Sequence, residues 1–397
     1  MNRQASVSQR RYDLDWLRVL TILVVFIFHS GRFFDTGDWH VKNATTYFGV
    51  DIWTAFLADW MMPFIFVISG ASLFYAITKG GFGTFFKDKF LRLAVPLILG
   101  VFTHAALMVY LERLTHHEFA GSFWEFVPTY FQGWYGFGGN FAWMGLHLWY
   151  LLILFLFSLL LYPLFHWLRG SGAQALNAAT DFIARPGMVY LLALVPMLLT
   201  ALVNPNTPYG MRSFGGWSLL AYLPFFIYGF VLISNARLQQ TIIRLRGVSL
   251  AGGIVSLLAC FATHGAGPDP AFGTTSFTAY SALFALAAWF FILTFLGFGM
   301  RSLTRNTPFL QYANEAVLPF YVMHQTVLLA VGYFIVQTSL PDLLKWAVIA
   351  AIAFGIIMTL YELLIRRYNL LRFLFGMKLR HHAPATAGRP SPAMGGR

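Results

Sequence analysis

The sequence predicts an all-α fold, a polytopic transmembrane helical bundle of about ten helices with N- and C-termini cytoplasmic. Three observations predict it. Only 11% of the 397 residues are charged and 58% are hydrophobic, whereas soluble domains are about 25% charged. The mean hydropathy is +0.64. The apolar residues gather in long runs, most reaching the roughly 20 residues that cross a hydrocarbon core. So few charges cannot cover a water-facing surface, and a bilayer removes that need.

The runs are, in order, 15–34, 51–78, 91–112, 147–168, 188–203, 215–234, 248–264, 276–299, 312–338 and 344–366. The first follows Arg3, Arg10 and Arg11, as a signal peptide would. It ends in Phe26-Ile27-Phe28-His29-Ser30-Gly31-Arg32, without the small-residue spacing a peptidase needs, so it is expected to be a retained helix. The fifth, Met188–Val203, is the shortest. Phe123–Gln132 is expected to form an interfacial helix before the glycine-aromatic loop Gly133–Asn140. Residues 1–376 form the membrane domain, and 377–397, which lack any apolar period, read as a disordered cytoplasmic tail.

Charge distribution follows from this map. Ten spans put 22 Lys and Arg on one side, among them Arg18, Lys89, Arg92, Arg169, Arg244 and Arg366. The other side keeps 5: Arg32, Lys42, Arg113, Arg212 and Lys345. The basic side is cytoplasmic by the positive-inside rule, as in a bacterial-type inner membrane. The net charge of +12 is dispersed between apolar runs, which argues against nucleic acid as a partner and for the lipid bilayer. The single Cys260 excludes an intrachain disulfide and a cysteine-rich metal site, and no metal is expected.

Ionisable groups inside spans are costly and mark functional candidates. Arg18 and His29 are eleven residues apart, so they lie about 20° apart around the first helix and about 16 Å along it. Ile22 and Val25 fill the stripe between them. One face thus offers an anion-binding group at its inner end and a proton-transfer group in its outer half, and both are expected to face one common protein-lined cavity. The alternative is an Arg18 that snorkels to lipid phosphates and a His29 bonded to a neighbouring helix. His147 opens the fourth run within His147-Leu148-Trp149-Tyr150, where an interfacial aromatic belt is the competing explanation. His324 lies in Tyr321-Val322-Met323-His324-Gln325, on a helix that Asn314 and Glu315 open and Pro319 kinks. Ser69 ends Pro63–Gly70 with no base visible beside it, so a packing serine and glycine are expected there. Lys87, Lys89 and Arg92 precede Pro96. They either set topology or bind phosphates.

Together these residues resemble the membrane acyltransferase-3 family. Arg18-(ten residues)-His29 is similar to the family's Arg-x10-His in the first helix. Pro63–Gly70 resembles its aromatic-Ser-Gly motif, Lys87–Pro96 its basic segment ending in Arg-x-x-x-Pro, and Tyr321–His324 its late Tyr-x-x-His. Trp39-His40-Val41-Lys42-Asn43 and His147–Leu151 resemble the branch that succinylates periplasmic glucans. The likeness covers residues 11 to about 370. Lys89 departs from it, standing where the family often has a second arginine and removing a bidentate phosphate contact.

The resemblance implies an O-acyltransferase, with acyl-CoA as co-substrate from the cytoplasm and a carbohydrate or lipid-linked hydroxyl as acceptor outside. No permanently bound cofactor is implied. It makes Arg18, Lys89 and Arg92 candidates for the donor's phosphates and His29 for general base. His147 and His324 would orient the acceptor or stabilise the oxyanion. Two rivals are a secondary transporter using Asp59, Glu315 or Glu362, and a haem carrier using His29 and His147.

Overall fold

The computed structural model describes residues 10–77, 80–264 and 270–380. Arg3, Lys79 and Asp269, and most of the expected tail (381–397), lie outside the described residues.

Among the described residues the chain is helical, and no β-strand is present. In order the helices are α1 (Tyr12–Gly31), α2 (Phe48–Ala76), α3 (Phe82–Lys89), α4 (Val95–Phe102), α5 (His104–Thr115) and α6 (Phe123–Tyr130). Then come α7 (Trp149–Leu160), α8 (Tyr162–Arg169), α9 (Ala173–Ile183), α10 (Leu194–Leu202) and α11 (Leu219–Ser234). The last are α12 (Ala236–His264), α13 (Thr275–Ser302), α14 (Pro308–Ile335), α15 (Asp342–Leu360) and α16 (Asn369–Leu374).

Seven segments are long and apolar enough to cross a membrane: α1, α2, Phe82–Thr115, most of α12, α13, α14 and Asp342–Ile365. Two further spans arise if bent pairs each count once: Leu146–Leu160 with α8, bent by 52°, and α9 with Met188–Leu202, bent by 109°. The second bend explains why the fifth run looked short. Arg185-Pro186-Gly187 breaks the chain there, with Gly187 at φ +80°. The remaining apolar run is the sixteen-residue α11.

The outward faces fit lipid rather than water. On α12 Val255 and Leu258 are 66% and 61% exposed, and on α15 Ile352, Phe354 and Ile356 also point outward. The core holds α1 against α2 and α14, with α13 behind. Helix α2 crosses α11 almost backbone to backbone. A Cβ on Gly70 would sit 1.9 Å from the Phe226 carbonyl oxygen, and one on Gly229 1.9 Å from that of Val67. Small residues permit such approach, which is a principal source of helix association in lipid. Gly70 is thus the packing glycine its motif predicts.

The basic segment leaves α-helical geometry. Residues Phe90–Ala94 form a π-turn in which the Val95 N–H donates to the Phe90 carbonyl. Pro96, lacking an N–H, cannot bond Arg92, four residues back. π-turns are frequent at functional sites, and this one carries Arg92. The expected interfacial helix is α6, started by a Ser122–Glu125 capping box.

Candidate active site

Two clusters occupy opposite ends of the α1 stripe. At one end Arg18 donates to Asp15 (3.0 Å), to Asn314 on α14 (3.1 Å) and to Ser72 on α2 (2.7 Å). Three helices therefore meet at this guanidinium, which remains partly exposed to a cavity of about 590 Å³. Arg10, Arg18, Lys89, Arg92, Arg372 and Lys378 line it, with Asp88 and Glu315 as its acids. Arg372, not singled out in the sequence, is buried, paired with Glu315 at 2.9 Å, and donates to the Lys378 carbonyl at 2.7 Å. Six of its lining side chains are cationic against two acidic ones, which gives the cavity a positive potential.

Its deep end follows from helix geometry. Ile22 lies one turn beyond Arg18, and Tyr321 two turns beyond Asn314, about 10 Å along α14. There the lining turns apolar with a hydroxyl pair: Ser69 Oγ and Tyr150 Oη are 2.6 Å apart. Most helix serines and threonines here, such as Thr21, Thr54 and Ser72, donate back to their own helix carbonyls. Ser69 instead turns to Tyr150. One hydrogen bond between two hydroxyls consumes one proton, leaving one O–H uncommitted inside the cavity. This pair has no local sequence signal, because its members are 81 residues apart.

Beyond Tyr321 three histidines meet. His324 lies between the other two, 5.0 Å ring to ring from both His29 and His147. Backbone carbonyls fix the tautomers, since a carbonyl only accepts. His324 Nδ1 donates to Tyr321 O (2.6 Å), so in the neutral ring Nε2 is an acceptor. That Nε2 is 3.2 Å from His29 Nδ1, which also donates to Val25 O at 2.9 Å. His29 Nε2 therefore carries the free lone pair. His147 Nε2 donates to Val322 O (3.1 Å), leaving Nδ1 buried without a partner. The Tyr321 hydroxyl donates to the His147 carbonyl, tying the broken α7 span to α14. His147 is accordingly buried in the cluster and not part of an exposed belt.

Every site residue expected from the sequence falls in one of these clusters. Arg18, Lys89 and Arg92 line the cavity; His29, His147 and His324 form the triad. The single cavity expected to join Arg18 to His29 is realised only at its Arg18 end. Its lining stops at Tyr321 and Tyr150, and no histidine of the triad borders it. Val25, on the stripe between, is fully packed. Three imidazoles in contact leave no slot for a macrocycle, so a haem held between His29 and His147 does not fit.

The triad's other side is built by the segment after α1. The Trp39 ring stacks on His29, centroids 6.2 Å apart at 24°. His40 pairs with buried Glu112 on α5, which also accepts from the Tyr135 hydroxyl at 2.8 Å. Burial, and then the Glu112 charge, push the Tyr135 hydroxyl well above the usual phenol range, so it stays a donor. Lys42 pairs with Asp35 at 2.7 Å, and Asn43 bonds Asp342 and Lys345, both at 3.0 Å. Among the described residues no His, Cys, Asp or Glu group has metal-ligand geometry.

A helical membrane bundle with a cation-lined cavity below a histidine cluster defines a class of multi-pass membrane protein that carries a guanidinium and an imidazole at the two ends of one helix stripe. A family model described as an acyltransferase domain matches residues 11–362, so the chain belongs to the acyltransferase-3 family and is a transferase of acyl groups. Among similar curated proteins are the glucans biosynthesis protein C of Salmonella paratyphi B and of Salmonella dublin. Each is 24% identical over 383 residues, covering 94% of this chain and 96% of the relative. That of Salmonella paratyphi A is 24% identical over 384 residues, with the same coverage. No solved structure matches.

Proposed function

We propose that the chain is an integral membrane O-acyltransferase that moves an acetyl- or succinyl-type group from cytoplasmic acyl-CoA to a hydroxyl of a carbohydrate or envelope acceptor at the outer face. The observation that carries this is α1 itself, with Arg18 in the cationic cavity and His29 in the histidine cluster further along. The names of the similar Salmonella proteins support a glucan acceptor. Ten crossings, made of the seven long segments, the two bent pairs and α11, would leave both termini at the cytoplasmic face of a bacterial inner membrane. The basic excess there supports that sidedness.

In this reading Arg18, Lys89 and Arg92 hold the donor's phosphates, and the thioester reaches the deep end of the cavity. The uncommitted O–H of Ser69 and Tyr150 polarises its carbonyl. Tyr321 must swing aside for the thioester to meet the triad. His29 Nε2 takes the acceptor's hydroxyl proton as the oxygen attacks the thioester carbon, a contribution of roughly 10²–10⁴-fold. The tetrahedral adduct then breaks its C–S bond, and His29 returns the proton to the departing thiolate, yielding an ester and free CoA thiol. His324 positions His29, and the unpartnered Nδ1 of His147 orients a neighbouring acceptor hydroxyl.

Mass spectrometry of envelope glycans from cells with and without the chain tests the reading. A glycan mass gain of one acyl group is expected; identical masses refute it. One observation favours a transporter: Asp59 on α2 is buried with neither carboxylate oxygen bonded, whereas Glu315 and Glu362 are paired with arginines. Solute counterflow in proteoliposomes without acyl-CoA would establish that alternative.

A further inference from the structure

The end of the bundle opposite Arg18 carries a second cavity, of about 450 Å³, between the end of α5, the segment after it, α6 and the glycine-aromatic loop. Its polar lining is Arg113, Glu118, Thr129, Gln132 and Asn140, and its aromatic lining includes Phe119.

Most of this lining is held rigid from within. Arg113 donates to Asn140 at 2.9 Å and to the Glu118 carboxylate, and Asn140 donates to the Thr129 carbonyl at 3.1 Å. Gly133 at φ +63° lets the loop fold back on itself; a Cβ on Gly139 would lie 2.2 Å from the Gly133 carbonyl carbon. Two groups are uncommitted: the exposed Gln132 amide, and the second Glu118 oxygen. An amide and a carboxylate beside a half-buried aromatic face suit vicinal hydroxyls. The planar polar groups take O–H donors and acceptors in pairs, and the slightly positive C–H face of a pyranose packs on the negative ring face.

The groove is wired to the triad. Arg113 lies 3.4 Å from Glu112, Glu112 holds His40, and the adjacent Trp39 stacks on His29. His116 adds a contact to the Trp39 carbonyl at 3.3 Å. Exposed aromatics of the same region, Trp124, Trp134 and Phe137, fit the water–membrane boundary, where a polymer outside the membrane is within reach.

We propose that this groove is a carbohydrate subsite, holding one sugar unit of the acceptor while a neighbouring unit presents its hydroxyl to His29. The proposal rests on the acyl-transfer reading above. Groove and triad share the Arg113–Glu112–His40 bridge, so an occupied groove fixes where the rest of the polymer lies.

The test uses the full chain in proteoliposomes with labelled acyl-CoA, and the glucan fraction extracted from envelopes as graded acceptor. The variants are Gln132→Ala and Phe119→Leu, neither in the catalytic machinery and the second keeping an apolar side chain. Each is expected to raise the acceptor KM about tenfold, the loss of one good hydrogen bond or stacking contact, leaving kcat and the acyl-CoA KM within about twofold. Phe119→Tyr is expected to retain the unsubstituted acceptor KM. Transfer with an unchanged acceptor KM in both variants overturns the subsite alone. Failure of the unsubstituted chain to acylate any of this carbohydrate overturns the underlying reading and the subsite with it.

Discussion

His324 Nε2 accepts from His29 Nδ1 across 3.2 Å, and the Tyr321 carbonyl bonded to its other nitrogen makes it an acceptor. His29 is thereby turned so that its free nitrogen faces away from His324. Removing that acceptor leaves the Val25 carbonyl alone to hold the ring. His324→Ala is expected to lower kcat about 10- to 100-fold with the acyl-CoA KM unchanged. His324→Gln, whose amide oxygen still accepts, is expected to recover part of that loss. Steady-state kinetics of both variants check this, and equal activity of His324→Ala and the unsubstituted chain would remove His324 from the account.

The cationic lining predicts a binding defect. Lys89→Ala and Arg92→Ala each remove one cationic side chain from the cavity lining. Each is expected to raise the acyl-CoA KM by about tenfold, more weakly at high salt, with kcat little changed. Arg18→Lys is expected to cost more, because an ammonium cannot span Asp15, Ser72 and Asn314 as the guanidinium does. Binding isotherms for acyl-CoA across a salt series measure both effects.

The Ser69–Tyr150 pair predicts a chemical defect instead. Tyr150→Phe leaves one hydroxyl where there were two, and Ser69→Ala does the same from the other helix. Either is expected to lower kcat about 10- to 100-fold with little change in KM. The double variant is expected to lose scarcely more than either single, since the two act as one unit. Fully additive losses would show that the hydroxyls act apart.

The α2–α11 crossing predicts a purely structural effect. Gly229→Ala would put a methyl 1.9 Å from the Val67 carbonyl oxygen, forcing the helices apart. A stability loss of about 1–3 kcal/mol is expected, read as a lower midpoint of unfolding in detergent. An unchanged midpoint would mean the helices separate freely.

Much of this was legible in the sequence because membrane solvent imposes simple rules. Apolar length located the seven long apolar helices, and the 3.6-residue period put Arg18, Ile22, Val25 and His29 on one face. The fifth run looked short because the chain bends by 109° at Pro186 and Gly187, between α9 and Met188–Leu202, a bend that hydropathy does not record. His147 could be read as belt or site, since nothing near it in sequence announces that Tyr321 and Val322 are its neighbours. Ser69 met its partner Tyr150, and His40 met Glu112, only through tertiary packing. The continuous cavity expected along the stripe was interrupted for the same reason. Tyr321, from another helix, ends it below the triad.

Acyl transfer, as proposed, turns on His29 Nε2 removing the acceptor's proton. Acyl transfer by His29→Gln in proteoliposomes, with labelled acyl-CoA and an envelope glucan fraction, tests it most directly. A fall of at least about 10²-fold in transfer is predicted, with unchanged acyl-CoA affinity and an unchanged unfolding midpoint. Transfer at the unsubstituted rate would contradict the account.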